Sequence, residues 1–220
     1  MYDYNHCPDR RHTDSIKWDA AGEGVLPMWV ADMDIPVADA VQEALRERVS
    51  HPLFGYSDFK EEHLKTLVAA HYKKLYGADV KEDWIVWIPS VMPGMTNAVK
   101  MQGGSFTYFI PMYNHIREVY LESKRPVIEV PLKKNGTQFA MDFAAMEEKM
   151  TPEVKTFVMC NPHNPIGRCY TKEEILEAAA FCEKHGLLLI SDEIHCELVL
   201  EGQHTPAFMA SEWTKEHSIT

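Results

Sequence analysis

From Trp84 to Asp192 one unit recurs: a short apolar run, then a stretch with apolar residues three and four apart, then another apolar run. Trp84–Ile88, Phe106–Ile110, Val127–Pro131, Thr156–Cys160 and Leu187–Ser191 read as strands. Helices are predicted between them, from Met92 to the Gly103-Gly104 pair, over Tyr113–Lys124 and from an Asp142 cap to Met150. A last one opens on the capping box Thr171-Lys172-Glu173-Glu174 and stops at Gly186. Strands this apolar are buried on both faces, and their alternation with helices predicts an α/β domain with a mainly parallel sheet flanked by helices. Ligands of such sheets gather at the carboxyl ends of the strands. Ser90, Tyr113, Asn161–Asn164 and Asp192 all fall there.

Upstream the pattern is weaker. Residues 1–35 carry no sustained period and are set apart as an N-terminal segment, leaving 36–220 as the large domain. Val37, Val41, Ala44, Leu45 and Val49 repeat at helical spacing behind Pro36, and a second helix is predicted from a Ser57 cap to Tyr76, stopped by Gly77. The formal net charge is −11, which argues against nucleic acid or an anionic membrane as a partner. No apolar run approaches the ~20 residues that span a bilayer. The five cysteines are scattered and odd in number. They read as reduced thiols of a cytoplasmic protein.

Two segments carry chemistry. Asn161-Pro162-His163-Asn164-Pro165-Ile166-Gly167-Arg168 puts two prolines and a glycine directly behind an apolar strand. The segment is either a plain tight turn or a rigid mount for the Asn164 amide. Ser191-Asp192-Glu193-Ile194-His195 ends the next strand on a carboxylate. Buried there, Asp192 needs a cationic or donor partner, such as a protonated ring nitrogen, unless it caps the following element. Cys160, His163 and Cys169 lie close in sequence, and His195 adjoins Cys196, but no Cys-x-x-Cys pair supports a metal site. Cys160 and Cys182 sit in apolar contexts that suit packing better than thiol catalysis.

The loop Asn161–Gly167 followed by Asp192-Glu193-Ile194-His195 resembles the pyridoxal-phosphate (PLP) enzymes of the class I/II aminotransferase superfamily. Arg10–Asp19, Leu26–Asp34 and His51–Tyr56 are similar to its cystathionine β-lyase and cysteine-S-conjugate β-lyase branch. The resemblance implies the large domain of a fold type I PLP enzyme and the β-elimination of a sulfur amino acid to a thiol, pyruvate and ammonia. It also implies a homodimer, with residues 1–35 as small-domain and dimer arm. Residue by residue, it implies that Asp192 pairs with the pyridinium nitrogen and that Asn164 and His195 serve the phenolic oxygen. Tyr113 would stack on the ring, amides of Val91 and Met92 would cradle the phosphate, and Tyr56 would reach the phosphate of a neighbouring subunit.

The chain departs from the family in one respect above all. The family's Schiff-base lysine lies downstream of the strand-end Asp, and the only lysine there is Lys215, before the strand-like Ser218-Ile219-Thr220. No catalytic residue is therefore assigned, and the sequence reads as an N-terminal portion, inactive on its own. The turn at Gly103-Gly104 is also a few residues short. Two alternatives stay open: an aminotransferase on the same scaffold, and a non-catalytic remnant that associates with a full-length relative.

Overall fold

The computed structural model describes residues 5, 7–56 and 60–220. They form two compact units, 1–59 and 60–220. In the first, helix α1 (Ile16–Asp19) and helix α2 (Asp39–Ser50) flank an irregular stretch. That stretch is tied down at Asp34, which accepts hydrogen bonds from Lys17 Nζ at 2.7 Å and Trp18 Nε1 at 2.6 Å. Arg10 pairs with Asp32 at 2.8 Å. Helix α2 starts at Asp39 rather than Pro36, and its apolar stripe of Val41, Leu45 and Val49 is exposed. Met28, Trp29 and Phe54 are exposed as well.

The second unit opens with helix α3 (Glu61–Tyr76), closed by Gly77 in the left-handed conformation. The expected cap, Ser57, lies outside the described residues. Trp84–Ile88 is not a strand. Residues Glu82–Trp84 make a 3-10 turn, and residues 85–88 belong to no strand among the described residues, with Val86 76% and Ile88 49% exposed. An apolar run becomes a strand only where a neighbour accepts and donates its backbone hydrogen bonds, and here Ile88 packs instead on helix α4 at Gly94.

Helix α4 (Val91–Gln102) leads into β1 (Ser105–Ile110), α5 (Ile116–Ser123) and β2 (Val127–Pro131). A hairpin of β3 (Lys133–Asn135) and β4 (Gln138–Ala140) follows, turning at Gly136-Thr137. Short α6 (Phe143–Glu147) is capped by Asp142, whose side chain accepts from Ala145 N at 3.0 Å. Then come β5 (Val154–Cys160), α7 (Lys172–His185) with the expected capping box, and β6 (Leu188–Asp192). Helix α8 (Glu212–His217) and the two-residue β7 (Ser218–Ile219) close the chain.

All five strands of the main sheet run parallel, in the order β2-β1-β5-β6-β7. From β1 the chain steps outward to β2, then returns to lay β5 on the other side of β1. The order therefore reverses between β1 and β5, and a crevice opens at such a switch point. Strand residues alternate between two cores. Phe106, Tyr108, Val158 and Ile190 pack with Val99 of α4 and Val119 of α5. On the opposite face Phe109, Phe157, Met159 and Leu189 pack with Ile175, Ala178 and Cys182 of α7. Each fully buried apolar side chain of this kind contributes about 1.5–3 kcal/mol.

The tight turn before β1 depends on Gly104. Its φ is +65°, and a Cβ there would collide with the Glu153 carbonyl oxygen and the Lys155 stem. Backbone cannot yield as a side-chain tip can. Gly104→Ala should therefore cost more than ~1 kcal/mol, read as a lower urea midpoint at unchanged slope. An unchanged midpoint would show that the turn relaxes freely.

Candidate functional site

The carboxyl ends of β1, β5 and β6 enclose a narrow pit lined by Met92, Met95, Met112, Tyr113, Ile116, Val158, Met159, Cys160 and Asp192. The sheet register explains the convergence, since Cys160 lies opposite Asp192. The enclosed part is only about 10 Å³, room for about one water, so a larger ligand would lie in its mouth.

Asp192 is the charged group of the pit. It is 8% exposed, and its Oδ1 accepts from the Ile194 amide at 3.2 Å. Burial raises its pKa above the ordinary carboxylate value, against the opposing pull of that amide and of His195. A carboxylate held this way gains from a cationic hydrogen-bond donor. Tyr113 lies in the turn before α5, short of the helix predicted to begin there, and lines the pit beside Asp192. Met92 reaches the pit from the first turn of α4, which is not capped by the Ser90 side chain. Backbone N–H groups of a first helical turn favour an anion. Val91 packs with Met92 against the core beneath.

Asn164 does not line the pit. It is half-buried, on the loop that follows Cys160, which does line the pit. His195 is half-buried in the turn behind Asp192 and meets it through charge. Tyr56 belongs to the first unit and is fully exposed.

Cys160 behaves as its apolar context predicts, whereas the Glu193–His204 surroundings behind Asp192 were not anticipated. Cys160 has its thiol pushed up to about 12, chiefly by burial, and donates to the Pro162 carbonyl at 3.2 Å. It is a packing thiol, not a nucleophile. Behind Asp192, Glu193 Oε1 accepts from Ser191 Oγ and the Ala207 amide, both at 2.8 Å, while His204 stands 3.2 Å from Glu193 Oε2. Tyr76 of α3 reaches His204 Nδ1 at 3.1 Å. Ser191 and the Ala207 amide hold Glu193 in this turn, and His204, close to Glu193 Oε2 without a hydrogen bond to it, meets α3 through Tyr76. The adjacent Glu193 was the one available signal, since a second carboxylate at a strand end also needs partners.

A larger open hollow, about 530 Å³, lies along β1, β2 and α5. Its Tyr108 hydroxyl is already satisfied by Glu129 at 2.5 Å. The strand-end pit carries the convergent chemistry despite its smaller volume.

The family model for class I and II aminotransferases matches residues 27–217. The chain belongs to the class I and II aminotransferase family. It is 36% identical over 222 aligned residues to the cystathionine β-lyase PatB of Bacillus subtilis (strain 168), covering 96% of this chain and 57% of that protein. Cystalysin from Treponema denticola, whose crystal structure contains pyridoxal 5'-phosphate, superposes with a TM-score of 0.89 at 28% identity, over 99% of this chain and 58% of that one. The PLP-bound C-S lyase from Staphylococcus hominis gives a TM-score of 0.82 at 26% identity, over 96% of this chain and 56% of that one. The chain thus spans little more than half the length of these relatives, and its parallel sheet and flanking helices match the fold expected from sequence.

Proposed function

We propose that this chain is the cofactor-binding portion of a PLP-dependent carbon–sulfur β-lyase, acting on cystathionine or a cysteine S-conjugate. The observation that carries the cofactor reading is the meeting of Asp192, Tyr113 and the first turn of α4 around one pit at the switch point of the sheet. The donor set fits PLP: a buried carboxylate for a protonated ring nitrogen, an aromatic face for the ring, and uncapped helix amides for the phosphate. The choice of lyase over aminotransferase rests on the similarity to cystathionine β-lyases and C-S lyases.

PLP, when bound, draws electrons from the substrate Cα so that a Cα–H and then a Cβ–S bond can break. The chain's own residues prepare that chemistry. Asp192 holds a proton on the ring nitrogen, because neutralising its buried charge is favourable. The Val91 and Met92 amides hold the phosphate; Pro93 has no N–H, so the cradle lies before it. Tyr113 covers one face of the ring, and Asn164 and His195 serve the phenolic oxygen. Tyr56 acts across a homodimer, whose surfaces are the exposed apolar residues of the first unit. We place the protein in the cytoplasm, with residues 1–35 as arm and 36–220 as large domain.

No lysine lines the pit among the described residues. Lys215 sits on α8 with its side chain 41% exposed, 3.7 Å from Glu212. The 220-residue chain should therefore bind PLP without turning over cystathionine, since a positioned acid or base alone is worth ~10²–10⁴-fold. PLP titration should quench tryptophan fluorescence, and pyruvate should form no faster than with PLP alone. Rapid pyruvate release lost in Lys215→Ala would refute the assignment of Lys215, and absence of quenching would refute the cofactor. Joined to the corresponding remainder of the Bacillus subtilis relative, the chain should release pyruvate without a keto-acid acceptor. Turnover only with an acceptor would make it an aminotransferase.

A further inference from the structure

The switch point poses a mechanical problem. The loops that leave β1 and β5 run apart, yet Tyr113 stands on the first and Asn164 on the second. One side chain spans the gap. The ring of His163, 3% exposed, donates from Nε2 to the Pro111 carbonyl at 2.8 Å, two residues before Tyr113. Its Nδ1 faces the Tyr170 hydroxyl at 3.0 Å. A carbonyl can only accept, so Nε2 carries a proton; in the neutral ring, which burial favours, Nδ1 then accepts from the Tyr170 hydroxyl.

Every other bond around His163 stiffens its mount. Its backbone N–H donates to the Arg168 carbonyl at 2.7 Å, and its carbonyl accepts from Gly167 N at 2.9 Å, which closes the loop on itself. The Tyr170 amide donates to Asn161 Oδ1 at 2.8 Å. The Asn161 backbone N–H in turn donates to the Asp192 carbonyl at 2.9 Å. The three strand ends are thus laced together, and the β1-to-β5 stitch is a side-chain hydrogen bond between residues 52 apart. Burial also lowers the His163 pKa, which favours the same neutral form.

We propose that His163 is a positioning residue that sets the width of the slot between Tyr113 and the Asn164 loop, and so the fit of the cofactor ring; the second half of this statement rests on the PLP reading above. His163 touches neither cofactor nor substrate in this role. It acts through the Pro111 carbonyl, as a rigid supporting group must if a site is to hold its geometry.

The test uses the 220-residue chain with three substitutions. His163→Phe keeps an aromatic ring but removes the donor. His163→Gln keeps a donor near the Nε2 position. Tyr170→Phe removes only the hydroxyl that faces Nδ1. Amide hydrogen exchange of the chain without PLP is followed by mass spectrometry. In His163→Phe, segments 111–116 and 161–168 should exchange roughly tenfold faster, with α7 and β6 unchanged, the local signature of a lost stitch. Tyr170→Phe should move the same two segments by less, which keeps the proposal testable if His163→Phe does not fold. His163→Gln should restore wild-type exchange. In the PLP titration, His163→Phe should weaken the dissociation constant roughly tenfold and reduce the circular dichroism induced in bound PLP. Wild-type exchange in both segments of His163→Phe, or acceleration spread evenly through the sheet, would overturn the proposal. Failure of the unsubstituted chain to bind PLP would instead refute the cofactor reading, while the exchange data would still report on the stitch.

Discussion

Replacing Asp192 by asparagine should make the chain more stable without PLP and nearly unable to bind it. The two effects share one cause. Burial raises the pKa of the Asp192 carboxyl, so the folded chain holds that proton more tightly than the unfolded chain. Stability then falls as pH rises between the unfolded and folded values, and the loss is complete above the folded value. Asparagine has no charge to desolvate. Asp192→Asn should therefore gain ~0.5–2 kcal/mol at neutral pH, as substitutions that relax a functional site commonly do. For a chain of this size that is ~2–4 °C of melting temperature per kcal/mol. The gain should vanish in acid, where both side chains are neutral. PLP affinity should fall ~10- to 100-fold, the worth of a hydrogen bond to a charged group. Scanning calorimetry at two pH values, with and without PLP, measures both effects. A destabilised variant with wild-type affinity would mean that Asp192 is a structural cap.

The second large effect is on the fold. Phe157 of β5 is fully buried, with ring centroids 5.9 Å from both Phe109 and Phe143. It lies on the strand between β1 and β6, the two others that carry the pit. Phe157→Ala should cost ~3–5 kcal/mol through lost burial and the cavity left behind. Much of the stability of a typical domain would go with it. Chemical denaturation should show a lower midpoint at an unchanged slope. A cost under ~1 kcal/mol would show that Phe109 and Phe143 collapse into the space.

Where local pattern and tertiary setting agree, the sequence was legible. β2 has the predicted bounds, and α7 carries its capping box because Thr171 and Glu174 satisfy each other within one turn. Asp192 was recognisable because a carboxylate ending an apolar strand is anomalous. Trp84–Ile88 misled because composition marks a residue's affinity for a sheet, not the presence of a neighbouring strand. The β3–β4 hairpin went unseen although a glycine opening a two-residue turn, here Gly136 at φ +61°, is a hairpin signal; its strands are only three residues long and mostly exposed. Convergence was legible for Tyr113 and Asp192, while Asn164 is not part of the pit's lining. His163 was read only against metal ligation, because its partner carbonyl belongs to a residue whose identity leaves no trace in such a bond.

The reversal of strand order also governs how the site comes into being. β1-α5-β2 and β5-α7-β6 are each contiguous in the chain, so each can close over a short loop. The β1–β5 pairing joins segments far apart in sequence, so closing it costs more chain entropy than either neighbouring pairing. The pit therefore lies on a seam. It exists only where β1 and β5 are paired, so a ligand that fills it would stabilise that long-range pairing by mass action.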